Sequence, residues 1–512
     1  MFTTFQTTKA KLKQMKKILF PIAIIVAIVG ASCNKDYLDV KPTSSITAGN
    51  FYQSQQDIQQ AVTGVYSSLR DWPVDIYLYL SEIRSNDFYA VFEDGQRDYF
   101  DINNFQVTNQ ASTLHDTWAS LYEMINRANG VLENIDNVTF SDAALKTQYK
   151  SEVKFLRAYA YFQLVRLWGR VPLVDKVISP SEGIQIHQSE PADIYNFITT
   201  EMETAKDSLP GNYTAASDVG RVTSWAAKGI LAKVYLTMAG YPLNQTAMRD
   251  KAETLLEDII SHEGATPKLK LTPNYADLFG YKNDNMHAMF EVQYVSGGLG
   301  EGSTFPSEVL GNVSTSLVNV TILNSASRLT VSQDLLTGYD STDKRFDVTY
   351  DTSYTTNDNP PQHSNVPFFK KFVDFGLTTL TKYDDWPENF PLLRYADVLL
   401  MEAEVLNDKS GPTQQAVDLL NRIRTRAGLP SITPTTKDEF DAALTTEYRH
   451  EFADEGQYWF YLVRTGKAIS TMNAWFAATG RSKTIDEHNL VYPIPQTEID
   501  IYPDLYQQPP GY

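Results

Sequence analysis

The chain has 512 residues, 62 acidic against 44 basic side chains, a formal charge of −18 and one cysteine. A surface this acidic repels phosphate backbones and anionic headgroups, which excludes nucleic acid as a partner. A single thiol excludes an internal disulfide, so the fold must stand on its apolar core.

The first element in chain order is a charged start, Lys9, Lys11, Lys13, Lys16 and Lys17, followed by an apolar run from Ile18 to Val29. Small residues Gly30, Ala31 and Ser32 lead into Cys33, the lone cysteine. This pattern predicts a secretory signal over residues 1–32, cleaved before Cys33. Met15-Lys16-Lys17 is its more natural start. The alternative, a transmembrane anchor, needs roughly 20 apolar residues, more than the run supplies. The spacing resembles the bacterial lipobox, with Gly30 where Leu is usual, and Cys33 is then the lipid attachment point. Losing five lysines takes the charge from −18 to −23. Membrane attachment falls to the lipid, and stable anchoring takes two or more acyl chains.

Residues 34–46 read as an extended lead. Ile58, Ala61, Val62, Val65, Tyr66 and Leu69 then form one apolar stripe, predicting a helix. Residues 71–112 lose the period and predict long loops with short elements. Helical pattern returns at 113–136 and at 142–168, where Val153, Leu156, Ala160, Leu164 and Leu167 make one face and Phe155, Tyr159 and Phe162 a second. A helix apolar on two faces lies mid-domain; Gly169 and Pro172 end it. Further helices are predicted at 191–208, 223–240 and 245–262, punctuated by Pro210-Gly211 and Tyr241-Pro242.

Residues 264–390 carry Gly297, Gly298, Gly300, Pro360-Pro361 and many Ser, Thr and Asn, predicting an irregular, loop-rich insert with a few strands. Helices resume at 392–407, 413–426, 437–453 and 457–478, and the proline-rich tail from Val491 to Tyr512 reads as extended. The fold class is mainly α: helical pairs with short connections, bracketing a large irregular insert. Arg394 and Asp397 can pair on one helix face. Glu447, Arg449, Glu451, Glu455 and Arg464 gather at a helix junction and should orient helices.

Chemistry-bearing motifs fail on spacing. His450-Glu451 has Asp454 where a zincin needs histidine, and no Gly-x-Ser-x-Gly elbow exists. Asp94, Asp98, Asp101 and Asn103 are read either as an oxygen cage for calcium or as a solvated acidic loop, the second being favoured, so no metal or cofactor is assigned. Tyrosine is the commonest aromatic, 30 against 25 Phe and 7 Trp; a ring with a polar tip suits a half-wet binding surface. A sugar site needs flat rings for C–H faces and fixed polar partners for hydroxyls. Trp72, Tyr77, Tyr79, Asn86, Asp87, Tyr89, Phe92 and Gln96 offer these in 72–105. Tyr281, Tyr294, Tyr354, Tyr383 and Trp386 offer them in the insert. Each ring taken singly reads as local core; the cluster as a whole reads as a binding surface. Trp459 and Trp475 sit in helical pattern and read as core.

Six segments in order carry a family resemblance: KFLRAYAYFQLVRLWGRVPLV at 154–174, GRVTSWAAKGILAKVYL at 220–236, PLLRYADVLLMEAEVLN at 391–407, AVDLLNRIRTRAGL at 416–429, EYRHEFADEGQYWFYLVRTGK at 447–467 and YPIPQTEIDIYPDLYQQPPGY at 492–512. Together they resemble the SusD/RagB family of outer-membrane nutrient-binding lipoproteins. Departures fall at Tyr448, Gln457, Tyr461 and Gln508, where the family's pattern has Arg, Arg, Asp and Asn. The resemblance implies tetratricopeptide-like helical pairs, with an N-terminal region at 33–263 and a C-terminal region at 264–512 that contains the insert 264–390. It implies a non-enzymatic surface protein whose loops capture oligosaccharide and deliver it to a TonB-dependent, SusC-like transporter for nutrient uptake. A peptide-cargo member of the family, or a helical lipoprotein hydrolase acting on glycans, is the alternative.

Overall fold

The computed structural model describes residues 51–90, 97–283, 285–310, 329–355, 360–377, 380, 382–501 and 504–512. Cys33, Phe92, Asp94 and Gln96 lie outside them.

Helix α1 (Gln55–Ser67) starts at a capping box, with Ser54 and Asp57 satisfying each other's free backbone N–H groups, and buries Ile58, Val62 and Val65. Then follow α2 (Ser112–Asn134), α3 (Ala143–Trp168), α4 (Pro191–Lys206), α5 (Ser224–Ala239) and α6 (Met248–Ser261). From α2 on, each helix packs against the next. Side-chain oxygens of Asp142 and Thr223 cap α3 and α5. Gly169, at φ 72°, closes α3 in a conformation that favours glycine. Between Tyr149 and Trp168 almost every α3 side chain is buried, as two apolar faces require. After the insert come α7 (Tyr395–Ser410), α8 (Gln414–Ala427), α9 (Lys437–Glu451), α10 (Tyr458–Arg464) and α11 (Ala468–Ala478). Helix α7 lies against α6, α8 and α9.

The insert is built on short ribbons. Strands β1 (Phe88–Ala90), β2 (Ala288–Val292), β3 (Leu329–Val331), β4 (Tyr350–Asp351), β5 (Phe368–Phe369) and β6 (Phe390–Arg394) pair antiparallel as β1 with β3, β2 with β6 and β4 with β5. Both strands of the β2–β6 ribbon are buried along their whole length, so the chain leaves and re-enters the scaffold at one seam. One hydrophobic core runs from Ile58 to Ile494. A second, small core within the insert joins Leu310, Phe368, Val373, Leu380 and Trp386.

Two expectations need correction. Residues 73–82 are a π-helix rather than loop, and nearly every side chain in Pro73–Glu82 is buried. With no solvated face there is no polar stripe, and hence no 3.6-residue period to read. Residues 457–478 are two helices, not one: the chain turns at Gly466, at φ 71°. The tail is largely extended, with one short helix at Gln496–Ile501. It is tied down where the Tyr492 hydroxyl donates to the Leu80 carbonyl at 2.9 Å and Trp168 Nε1 donates to the Pro493 carbonyl at 3.0 Å.

The π-helix rests on the turn between α9 and α10. Gly456 there has φ 65°, and an added Cβ would stand 2.5 Å from backbone atoms of Tyr77. Its carbonyl accepts from Ser81 Oγ at 2.6 Å. Gly456→Ala combines backbone strain with overlap, and should lower stability by about 1–3 kcal/mol in urea unfolding.

Candidate functional site

The predicted site residues separate into two groups. Trp72, Tyr77, Tyr79, Asn86, Asp87 and Trp386 are interior, Trp386 with 0% of its surface exposed. The Trp72 ring lies 5.7 Å from Tyr159, and Tyr79 stacks on Tyr99 at 4.3 Å. Tyr77 shares a hydroxyl–hydroxyl bond with Tyr159 and accepts from Gln163 Nε2 at 3.2 Å. Trp386 Nε1 donates to Ser307 Oγ at 2.7 Å within the small core. A ring enclosed on both faces cannot stack on a sugar, so these four rings are packing residues in this structure. Tyr281, Tyr294 and Tyr354 are half-buried, the last edge-on to Phe368 at 5.9 Å. The Tyr294 hydroxyl is committed to the Arg70 carbonyl. Tyr383 and Tyr89 are exposed.

Asn86 and Asp87 act as a clamp rather than as free polar partners. Asp87 Oδ1 accepts from Arg449 Nε at 2.6 Å. Arg449 Nη2 pairs with Asp334 Oδ2 at 2.8 Å, and Asn86 Nδ2 donates to that same oxygen at 2.8 Å. Ser332 N donates to the Asp87 carbonyl at 2.8 Å. Burial pushes the Asp87 carboxyl up, with Arg449 pulling against it. The clamp ties the start of β1 to α9 and to the short helix Gln333–Gly338 that follows β3. Asn103 completes it. Its Nδ2 donates to the Ile83 and Phe88 carbonyls at 2.8 and 3.2 Å, and its Oδ1 accepts from Ala90 N at 3.3 Å.

Strand alternation then decides what β1 presents. Phe88 points inward and stacks on Phe369 at 4.6 Å, while Tyr89 points outward with 37% of its surface exposed. The Arg481 guanidinium, from the loop after α11, lies over the Tyr89 ring at 4.1 Å and over Trp475 at 4.3 Å. Trp475 meets Tyr89 edge-on at 6.1 Å and is otherwise buried, as its helical position predicts. Arg481 Nη2 makes no hydrogen bond within the protein, and Nη1 reaches only weakly, at 3.4–3.5 Å, to Asn104 and Asn103. The result is an exposed ring, one face of which is held by a cation–π contact to a guanidinium whose Nη2 is buried. Arg481 escaped sequence reasoning because nothing local links it to a tyrosine 392 positions away.

The acids and bases near the α9–α10 junction form a buried network. Glu451 Oε1 accepts from Arg394 Nη1 at 2.7 Å, and Oε2 faces Arg426 and Arg345. Glu455 takes both Arg394 Nε and Nη2, at 2.8 and 2.7 Å, as well as Lys371. Glu447 pairs with Arg345 at 2.9 Å and with Arg424. Arg394 therefore does not pair with the Asp397 side chain through its guanidinium: Asp397 Oδ2 accepts its backbone N–H at 2.9 Å, while Asp397 Oδ1 binds Lys233 at 2.7 Å. Tyr461 stacks on Tyr448 at 4.3 Å. These groups hold helices together and are closed to a polymeric substrate.

Among known proteins, residues 319–512 match the SusD family, and residues 36–236 match a family described as starch-binding, associating with the outer membrane. A SusD-like protein of Bacteroides ovatus is 30% identical, over 88% of this chain and 82% of that protein. SusD-like protein P38 of Formosa agariphila is 26% identical, over 90% and 94%. Among solved structures, a SusD homologue from Bacteroides thetaiotaomicron matches with a TM-score of 0.77 at 25% identity, over 91% of this chain and 98% of that one. A laminarin-binding SusD-like protein matches with a TM-score of 0.74 at 26% identity, over 90% and 100%. Among the described residues, no helix is long and apolar enough to cross a membrane.

Proposed function

The chain belongs to the SusD/RagB family, and from that premise we propose that it is a lipid-anchored, non-enzymatic glycan-binding protein of the outer cell surface, which captures oligosaccharide and delivers it to a TonB-dependent, SusC-like transporter. The observation that carries the reading is the exposed Tyr89 ring fixed against Arg481, on a strand held from behind by Arg449 and Asp87. An exposed flat ring held in one orientation matches a sugar's C–H face. The laminarin-binding relative supports glycan as the cargo class. Cys33 carries the lipid, and the helical scaffold forms the lid over the barrel.

Native electrophoresis through gels containing laminarin, starch and other polysaccharides tests the reading. The wild-type protein should be retarded by at least one of them and release no reducing ends. Tyr89→Ala should weaken that retardation about tenfold, a loss of about 1.4 kcal/mol, with unchanged melting. Release of reducing ends would make the protein a hydrolase. Retardation by peptides alone would make it a peptide binder. Cys33→Ser should abolish incorporation of labelled fatty acid.

A further inference from the structure

We propose that Glu402, Glu253 and Glu257 form a site for one calcium ion that staples α6 to α7. This goes beyond glycan capture and rests on different residues. One carboxylate oxygen from each of the three lies within 4.8 Å of the others. Glu402, on α7, has 0% of its surface exposed, and neither of its oxygens has a hydrogen-bond partner. A buried carboxylate left bare on both oxygens is costly, and such groups are normally satisfied by a donor or a metal. Its oxygen points at the two acids of α6, half-buried Glu253 and exposed Glu257. Glu257 leaves the site a route to solvent.

The groups that face Glu402 are Glu253, Glu257 and Lys409. Lys409 is the one resident cation among them. Its ammonium donates to Asp250 Oδ1 at 2.7 Å and to Glu253 Oε2 at 2.5 Å and makes no hydrogen bond to Glu402. Burial holds the Glu402 carboxyl up to about 8, with Glu253 and Glu257 adding to the rise and Lys409 opposing it.

The donor set is oxygen only, which selects a hard cation. Calcium binds oxygens at 2.3–2.6 Å, so ligands on opposite sides of it stand roughly 4.8 Å apart. Three oxygens all within 4.8 Å of one another can meet one such ion, and calcium's loose geometry lets water complete the shell through Glu257. Helix α6 ends just before the insert and α7 begins just after it, so the ion would fasten the two helices between which the insert is hung.

The test uses the full chain stripped with EDTA. Titration calorimetry with calcium chloride at neutral pH should give one site. Melting should rise by a few degrees in millimolar calcium. Glu402→Gln, which mimics the neutral acid and should fold, must lose both the binding and the melting response. Lys409→Gln should bind calcium severalfold more tightly, since a competing positive charge is gone. Absence of a calcium response in the wild type, a response in Glu402→Gln equal to that of the wild type, or a preference for magnesium would each overturn the assignment.

Discussion

Glu451→Gln should lower the free energy of unfolding by about 3–5 kcal/mol, read as a drop in the urea midpoint with unchanged slope. The side chain is fully buried and faces three guanidiniums, those of Arg394, Arg426 and Arg345. The amide keeps the shape and removes the charge, leaving cations in a medium that solvates them poorly. The pH profile carries the same signature. Burial alone would push the Glu451 carboxyl up, but Arg426, Arg394 and Arg345 outweigh it and hold it at about 2. Its folded pKa is thus below its unfolded one. Its contribution is present in full above pH 4.5 and is lost as pH falls through 2. The wild type should therefore lose stability over that acid window, and Glu451→Gln should lose less of it there. Pairing Glu451→Gln with Arg426→Met should recover part of the loss, because the second change removes one stranded charge. A cost under about 1 kcal/mol for the single substitution would mean that water reaches the network and solvates it.

That network also marks how far the sequence could be read. Glu447, Glu451 and Glu455 were legible as helix-orienting acids, because they sit on or just past one helix at spacings that face one side. Two of their five partners were not legible: Arg345 and Lys371 come from the insert, where no period assigns a face to any residue. The same division holds for the fold. Helices α1, α3, α7 and α8 could be read because each alternates wet and dry faces, or carries two dry ones between clear caps. The π-helix at 73–82 could not, because its surroundings are dry on every side. The binding residues suffered most. Trp72, Tyr77 and Tyr79 look like an exposed aromatic cluster in a segment without period, yet lack of period there came from total burial. Tyr89 differs from them only by its place in a three-residue strand, a phase set by the distant clamp of Asp87 and Arg449.

Trp386 puts that distinction to experiment. Trp386→Ala should destabilise the insert by about 3–5 kcal/mol, since it empties the centre of a core made of only a few side chains. Amide exchange should rise first around Ser303, whose N–H donates to the Trp386 carbonyl at 2.8 Å, and around Phe368. The neighbouring Phe369 stacks on Phe88, whose strand carries Tyr89, so glycan retention should weaken as a consequence of lost packing. Trp386→Phe preserves most of the apolar volume and gives up the indole bond to Ser307, at a cost of about 1–2 kcal/mol. It should keep glycan retention. A ligand platform would behave in the opposite way: Trp386→Ala would weaken retention and leave melting unmoved, as expected here for Tyr89→Ala alone. The two alanine variants measured side by side, one losing stability first and the other losing only ligand, separate a ring that builds the site from a ring that touches the sugar.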